Sequence, residues 1–503
     1  MDKFLKITNG ERISRAAIPA LGLDEFLQTV SDFVNADGYV VQFFAYQEGG
    51  TNRMLAVLRN DSLFVAETEV GDVFPSLTQT GSAKFHMFER EIAEQYGIRP
   101  VGHPWLKHVR YHANYAGRPD IFGNDYSVDI PGNYEYFKVE GESVHEVAVG
   151  PVHAGIIEPG HFRFQCAGEE VLHLEIQLGY QHRGIEKMLT QVPQKRLPVI
   201  CEGIAGDTSV GHNLCCCQAI EALADLQVEK GASIVRVIAL ELERIANHVG
   251  DLGALSGDVA FNPPASYFGR MRGEFLNLLQ VLCGNRFGKG LVRPGGIAHV
   301  MGPEQCQLIA QKLIEIAPEL RNVCDLLFSA HTVQARFENT GPVSLAVAKE
   351  LGLVGYAGRA CGLPYDARTL FPTERYADLP GLVNGTVNGD VNSRAAVRRE
   401  EIMHSLSLIE MMLGQNKREY KAVQMQQYQL APSSLAVTVN EGWRGEVSHC
   451  VLTDDAGRIQ RYKIKDPSFH NWTGLAMSLR NQEISDFPLC NKSYNLSYCG
   501  FDL

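Results

Sequence analysis

Between about residues 118 and 145 the chain runs RPDIFGNDYSVDIPGNYEYFKVEGES, rich in Gly, Pro, Asp and Asn and without a helical period. This break separates two segments whose apolar residues repeat differently. Ahead of it, FLQTVSDFV has helical spacing, and YVVQFFAYQ, MLAVLRN and SLFVAETEV have the β-branched and aromatic content of strands. Behind it, the strand-like pieces HFRFQCA and EEVLHLEIQLG lead into helical periods at 232–252, 303–329, 342–351 and 394–416. A β-rich return follows near SLAVTVNEGWRGEVSHCVLTDDAGRIQRYKIK. With 503 residues the chain is too long for one ordinary core. The expected class is α+β: a small N-terminal α+β domain over 1–120, a linker over 121–145, and a large, mainly helical domain over 146–503 with peripheral β-strands.

The formal charge of −12 repels nucleic acid, so no nucleic-acid partner is expected. The start MDKFLKITNGERISR has no apolar signal region, and no stretch approaches the ~18 uninterrupted apolar residues of a spanning helix. The reading is a cytosolic chain that reaches a membrane only through partners. No two of the twelve cysteines have C-x-x-C spacing. Zinc ribbons and ferredoxin-type clusters take their ligands from such short loops, so an iron–sulfur cluster is expected mainly in a partner. Cys215, Cys216 and Cys217 lie in the helical HNLCCCQAIEALADL, where successive side chains point about 100° apart, and read as core-filling residues.

One helix stands out. In ASIVRVIALELERIANHVGDLG, Ile238, Leu242, Ile245, Val249 and Leu252 make an apolar stripe, while Glu241, Arg244, His248 and Asp251 fall on a polar one. By itself that polar row is the solvated face of an ordinary helix with ion pairs.

Motif order changes that reading. FHMFEREIAEQYGIRPVGHPWLKHVRYH, with Glu89, Arg90, Glu91, Tyr96, Gly97, Ile98, Gly102, His103 and Pro104, resembles the signature of the small peripheral subunit of complex I. Its charged run suits pairing with a partner surface, and Gly97 a turn after a helix. From 146 onward the chain resembles both the quinone-site subunit of complex I and the large subunit of group 4 nickel–iron hydrogenases. The matching pieces run in order: GPVHAGIIEPGHFRF, the H-R-G-x-E-K motif at His182 to Lys187, ELERIANHVGDLG, VRPGG, RFENTGP, the pattern Arg359 to Arg368, GDVNSRAAVRREEI and KIKDPSFHNW. This resemblance implies a fused large subunit of an oxidoreductase complex and turns the polar row into a buried, functional one.

Hydrogenases of this family hold nickel and iron with four thiolates from two C-x-x-C motifs, soft donors suited to those metals. Aligning EGIAGDTSVGH on His212 puts Ala205 and Thr208 at the first pair of positions, and aligning Asn495-Leu496 on the terminal Asp-Pro puts Ser497 and Gly500 at the second. Cys499 is one residue out of place. DPSFHN, Asp466 to Asn471, is read as cavity wall rather than as a degraded ligand motif. No metal is therefore expected on this chain.

The resemblance implies a partner iron–sulfur small subunit, a ferredoxin-like subunit and membrane ion-translocating subunits, at the cytoplasmic side of the inner cell membrane. The chain is expected to bind no cofactor of its own beyond a candidate quinone. His153, Glu158, His161, Asp207 and Thr208 are the candidate cavity lining, since imidazole beside carboxylate delivers protons near neutral pH. Glu241, Arg244, His248, Asp251, Arg293, Asp366 and Arg368 are expected to form a buried ionic network. Three functions stay open: electron transfer to a quinone or other small acceptor coupled to ion translocation, a non-catalytic coupling scaffold, and a hydrogenase of formate hydrogenlyase type with unorthodox ligands.

Overall fold

A computed structural model describes residues 3–503 apart from 118–120, 123–134, 154, 156, 382–386, 415–418 and 425–426. The middle of the expected linker thus lies outside the described residues.

In the N-terminal part, the Leu23–Asn35 helix buries Phe26, Leu27, Val30 and Val34, a spacing that puts them on one face. Asp24 and Glu25 in its first turn complement the partial positive charge there. Strands Tyr39–Glu48, Thr51–Arg59 and Leu63–Val70 form an antiparallel meander. One face of this sheet, including Phe43, Met54 and Ala56, packs on the helix. The other, including Val41, Phe44, Leu55 and Val57, packs on a second sheet from the far end of the chain. Coverage on both faces explains why the runs FFAY, MLAVL and LFVA are continuously apolar rather than alternating.

That second sheet joins Ser434–Gly442, Gly445–Thr453 and Ile459–Lys465, with Arg12–Ser14 pairing at its edge through Leu435 and Ile13. Every residue of its first two strands is buried. The α+β class holds, but these strands are central rather than peripheral. Ala436 and Val451 press against Cys216, Ala219 and Ile220 of the Ser209–Ala224 helix, so the sheet is closed on that side as well.

The Lys230–Asp258 helix runs through the helical part against Asn262–Cys283 and Val391–Gly414. Leu242, Ile245, Val249 and Leu252 are fully buried, each worth about 1.5–3 kcal/mol. Its polar row is equally buried. All twelve cysteines are unpaired, and the triplet 215–217 lies in the core. Among the described residues no helix is long and apolar enough to cross a membrane.

The His86–Tyr96 helix ends on Gly97 at φ 62°, the left-handed turn that glycine permits. Its charged run faces inward, against the expectation of a partner surface. Glu91 bonds Lys463 at 2.8 Å and also pairs with Arg110, and Arg90 donates to the carbonyls of Lys107 and His108. These charges join the N-terminal part to the second sheet of the same chain.

Candidate functional site

The Ser209–Ala224 helix begins after Thr208, and the terminal helix Tyr498–Asp502 begins after Ser497, whose hydroxyl accepts from Gly500 N at 2.8 Å as an N-cap. Two arginines tie these starts together. Arg444 places its terminal nitrogens 2.6 and 2.7 Å from the Asp207 carboxylate, reaches Thr208 Oγ1 at 3.4 Å and donates from Nε to Asn495 O at 2.6 Å. Arg183, of the H-R-G-x-E-K motif, donates to Ile204 O at 2.7 Å and Cys499 O at 3.1 Å. The segment from Ile204 to Thr208 and the segment from Asn495 to Cys499 are therefore tied together at one locus.

The donors there are oxygen-rich. A Cβ added at Gly500 would stand 2.7 Å from Asp466 Oδ2 and 2.8 Å from Ser497 Oγ, so Asp466 of the DPSFHN segment fills the space a side chain at 500 needs. Cys499 Sγ lies 3.5 Å from Ser497 Oγ. Burial, and then the neighbouring Glu158 carboxylate, push this thiol up to about 11, away from the thiolate that binds soft metals.

Of the five expected lining residues, Glu158, Asp207 and Thr208 come to this locus. His153 and His161 bond within their own hairpin. His153 Nε2 is 2.8 Å from Gly160 O, and His161 Nδ1 is 3.3 Å from Gly150 O while its Nε2 accepts from Arg163 at 3.1 Å. Burial lowers the His161 imidazole below its ordinary value.

The ionic network lies beneath. Glu241 accepts from Arg244 Nε at 3.1 Å, from Arg368 at 3.3 Å, from Tyr376 Oη at 2.5 Å and from Ser405. Arg368 also pairs with Asp366 at 2.7 Å. Glu401 receives His248 Nε2 at 2.9 Å and Arg359 Nε at 3.1 Å, and Arg359 continues to Glu441 at 2.7 Å. Asp251 pairs instead with Arg398 at 2.8 Å and accepts from Asn495 at 2.6 Å. Arg293 is the correction to the expected set. It ends the short strand Val292–Arg293, its carbonyl accepts from Arg236 of the long helix, and the residue lines a separate cavity with Glu202 and Lys195.

Burial works to raise Glu241, but the guanidiniums of Arg244 and Arg368 overcome it and bring the carboxyl down to about 2. Arg359 likewise outweighs burial at Glu401, which stays well below its ordinary value. Burial lowers His248, only partly offset by Glu401, so the ring is neutral. Its Nε2 then donates to Glu401, and Nδ1, without a partner among the described residues, is left as a buried acceptor.

A tight hairpin turn connects network and locus. Arg244 donates to the carbonyls of Glu441 at 2.7 Å and Gly442 at 2.9 Å. Next in the chain, Trp443 donates to Asp207 O at 2.9 Å and sets its ring edge-on to His248 at 5.9 Å. By itself the sequence shows EGWRGE as strand and gives no role to Glu401, Glu441, Trp443 or Arg444. The signal was a Trp-Arg pair between two glycines at a hairpin turn.

A family model described as the respiratory-chain NADH dehydrogenase 49 kDa subunit matches residues 258–434 and 415–502. Formate hydrogenlyase subunit 5 of Escherichia coli is 27% identical over 523 residues, covering 96% of this chain and 91% of its own length. The C/D subunit of the NADH-quinone oxidoreductase of Bdellovibrio bacteriovorus is 25% identical over 445 residues, covering 81% of this chain and 80% of its own. A chain of the membrane-bound sulfane sulfur reductase, an archaeal respiratory membrane complex, has the same fold with a TM-score of 0.67 at 22% identity, over 72% of this chain and 99% of that one.

Proposed function

As a relative of the complex I 49 kDa subunit and of group 4 hydrogenase large subunits, this chain is, we propose, the large subunit of a membrane-associated oxidoreductase complex that works without a nickel–iron centre. Electrons reach its locus through a partner iron–sulfur subunit and reduce a quinone or another small acceptor, coupled to ion movement in membrane subunits. The chain sits peripherally on the cytoplasmic side, held by those partners and a ferredoxin-like subunit.

The carrying observation is the chemistry at Thr208, Ser497 and Gly500. Asp466 takes the space at Gly500, the Arg444–Asp207 pair covers Thr208, and the neighbouring Cys499 is held as a thiol. Nickel and iron of this type require converging thiolates, and this donor set does not fit them. What the locus supplies is hydrogen-bond donors and carboxylates around an acceptor: Arg444 steadies negative charge, and Glu158 and Asp466 are placed to exchange protons.

A second reading, a coupling scaffold, is favoured by the run from Glu241 through Arg244 and the 441–444 turn to Asp207, which links charge in the helix core to the locus without any acceptor. One preparation decides among the readings. The chain is purified with its native partners, and nickel, iron, acid-labile sulfide and extractable quinone are quantified together. Iron and sulfide without nickel, with quinone, supports the proposed reading. The same metals without quinone leave the scaffold and a different small acceptor in contention, and stoichiometric nickel overturns both.

A further inference from the structure

Behind the locus, Asp466, His212, His449 and Tyr462 form an unbroken run of hydrogen bonds that the ionic network does not use. His212 Nε2 is 3.0 Å from Asp466 Oδ2, His212 Nδ1 is 3.2 Å from His449 Nε2, and His449 Nδ1 is 2.9 Å from Tyr462 Oη. Tyr462 Oη in turn lies 3.9 Å from Cys201 Sγ, with the Cys216 thiol beside it. All of these side chains are buried.

With His212 in its neutral form, the bonds are all polarised in one direction. Burial holds His449 neutral, while His212 keeps Asp466 ionised against its burial. An ionised carboxylate only accepts, so a neutral His212 donates to it from Nε2 and accepts at Nδ1. His449 Nε2 is then the donor and its Nδ1 the acceptor, which makes Tyr462 a donor and leaves its oxygen to accept from a thiol. Every hydrogen points toward Asp466. The two thiols pack beneath Tyr428, which lines a cavity of about 150 Å³ at the protein surface.

We propose that this run is a proton-conducting chain, entered at Cys201 and Cys216 under Tyr428 and delivering to Asp466 beside the locus. The thiol hydrogen passes to Tyr462, that of Tyr462 to His449 Nδ1, that of His449 Nε2 to His212 Nδ1, and that of His212 Nε2 to Asp466. A solvent proton restores the thiol, no electron moves, and the chain resets when the Tyr462 hydroxyl rotates and each imidazole returns to its starting tautomer. Asp466 then gives its proton to the reduced acceptor. That last step rests on the proposed redox reading, whereas conduction along the run does not.

The test uses the full complex carrying 15N-histidine, with the ring N–H signal of His449 assigned by its loss in His449→Gln. In Tyr462→Phe the shape is kept and the donor removed. Exchange of the His449 ring hydrogen with water is expected to slow about tenfold or more, and acceptor reduction to slow with a larger solvent isotope effect. The paired Cys201→Ala, Cys216→Ala variant gives a second route to the same loss. Unchanged exchange in an assembled Tyr462→Phe or double-cysteine complex overturns the chain. If the wild-type complex reduces no acceptor, the redox reading fails, and the exchange rates still decide the chain.

Discussion

Arg444 grips the Asp207 carboxylate with both terminal nitrogens while its guanidinium lies 4.0 Å above the Trp443 ring. A planar fork stacked on an aromatic ring is something lysine cannot copy. Arg444→Lys keeps the charge and loses the second bond, the stacking and the link to Asn495. Because Asp207 keeps partial contact with water, the expected stability loss is only about 1 kcal/mol, but acceptor turnover should drop on the order of tenfold, the worth of about 1.4 kcal/mol. Thermal unfolding and turnover measured side by side check this; a lysine variant with full turnover makes the pair incidental.

Glu241 tests the network, and the choice of substitution matters. From sequence, alanine at Glu241 or His248 is expected to impair coupled turnover and spare assembly. The structure argues otherwise for Glu241, since alanine takes a buried carboxylate partner from both Arg244 and Arg368, a loss of roughly 3–5 kcal/mol. Glu241→Gln keeps an acceptor and the volume, so it is expected to assemble and to lose coupling. Wild-type coupling ratios in assembled Glu241→Gln complexes would count against a role in coupling.

The same carboxyl predicts acid behaviour. Its folded value, about 2, lies below the ordinary 4.5. A depressed carboxyl stabilises the fold above its unfolded value, and that contribution is lost as pH falls from about 4.5 toward 2. Wild-type unfolding should steepen over that window, and Glu241→Gln should flatten it in a pH series of denaturation midpoints.

Glu243, on the same helix, should behave in the opposite sense. Burial raises it to about 8, although it accepts from Val210 N at 2.7 Å and Gly211 N at 3.1 Å. A carboxyl raised from 4.5 stabilises fully below 4.5, and the contribution fades as pH climbs through 8, with a slope of up to about 1.4 kcal/mol per pH unit. Glu243→Gln is therefore expected to match wild type near pH 5 and to melt higher at pH 9. Parallel melting curves for the two proteins across that range contradict the assignment.

Gly500→Ala is a steric test of the locus. The new methyl meets Asp466 Oδ2, which is fixed by His212 at 3.0 Å, on a carboxylate whose other oxygen accepts from Ser468 N at 2.8 Å, so it cannot simply swing aside. Overpacking of this kind costs about 1–3 kcal/mol. Pairing it with Asp466→Gly, which empties the space, should recover part of the loss; a double mutant no better than the sum of the singles would mean the two residues do not compete.

Much was legible in the chain itself. The helices and strands follow from apolar period, the turn at Gly97 from residue type, and the kinship from motifs kept in order, because these properties are local and survive in a one-dimensional record. Residue types alone also withheld thiolates from Ala205, Thr208, Ser497 and Gly500. What only the tertiary structure decided is which distant groups share a dielectric environment. Whether Glu241 faces water or two guanidiniums, whether Arg293 joins it, whether the Glu89–Glu91 run faces a partner or Lys463, and whether His212 meets His449 all depend on how sheets and helices pack. Hydrogen bonds and ion pairs act over about 3 Å, and residues 237 positions apart reach that distance only when the chain has folded.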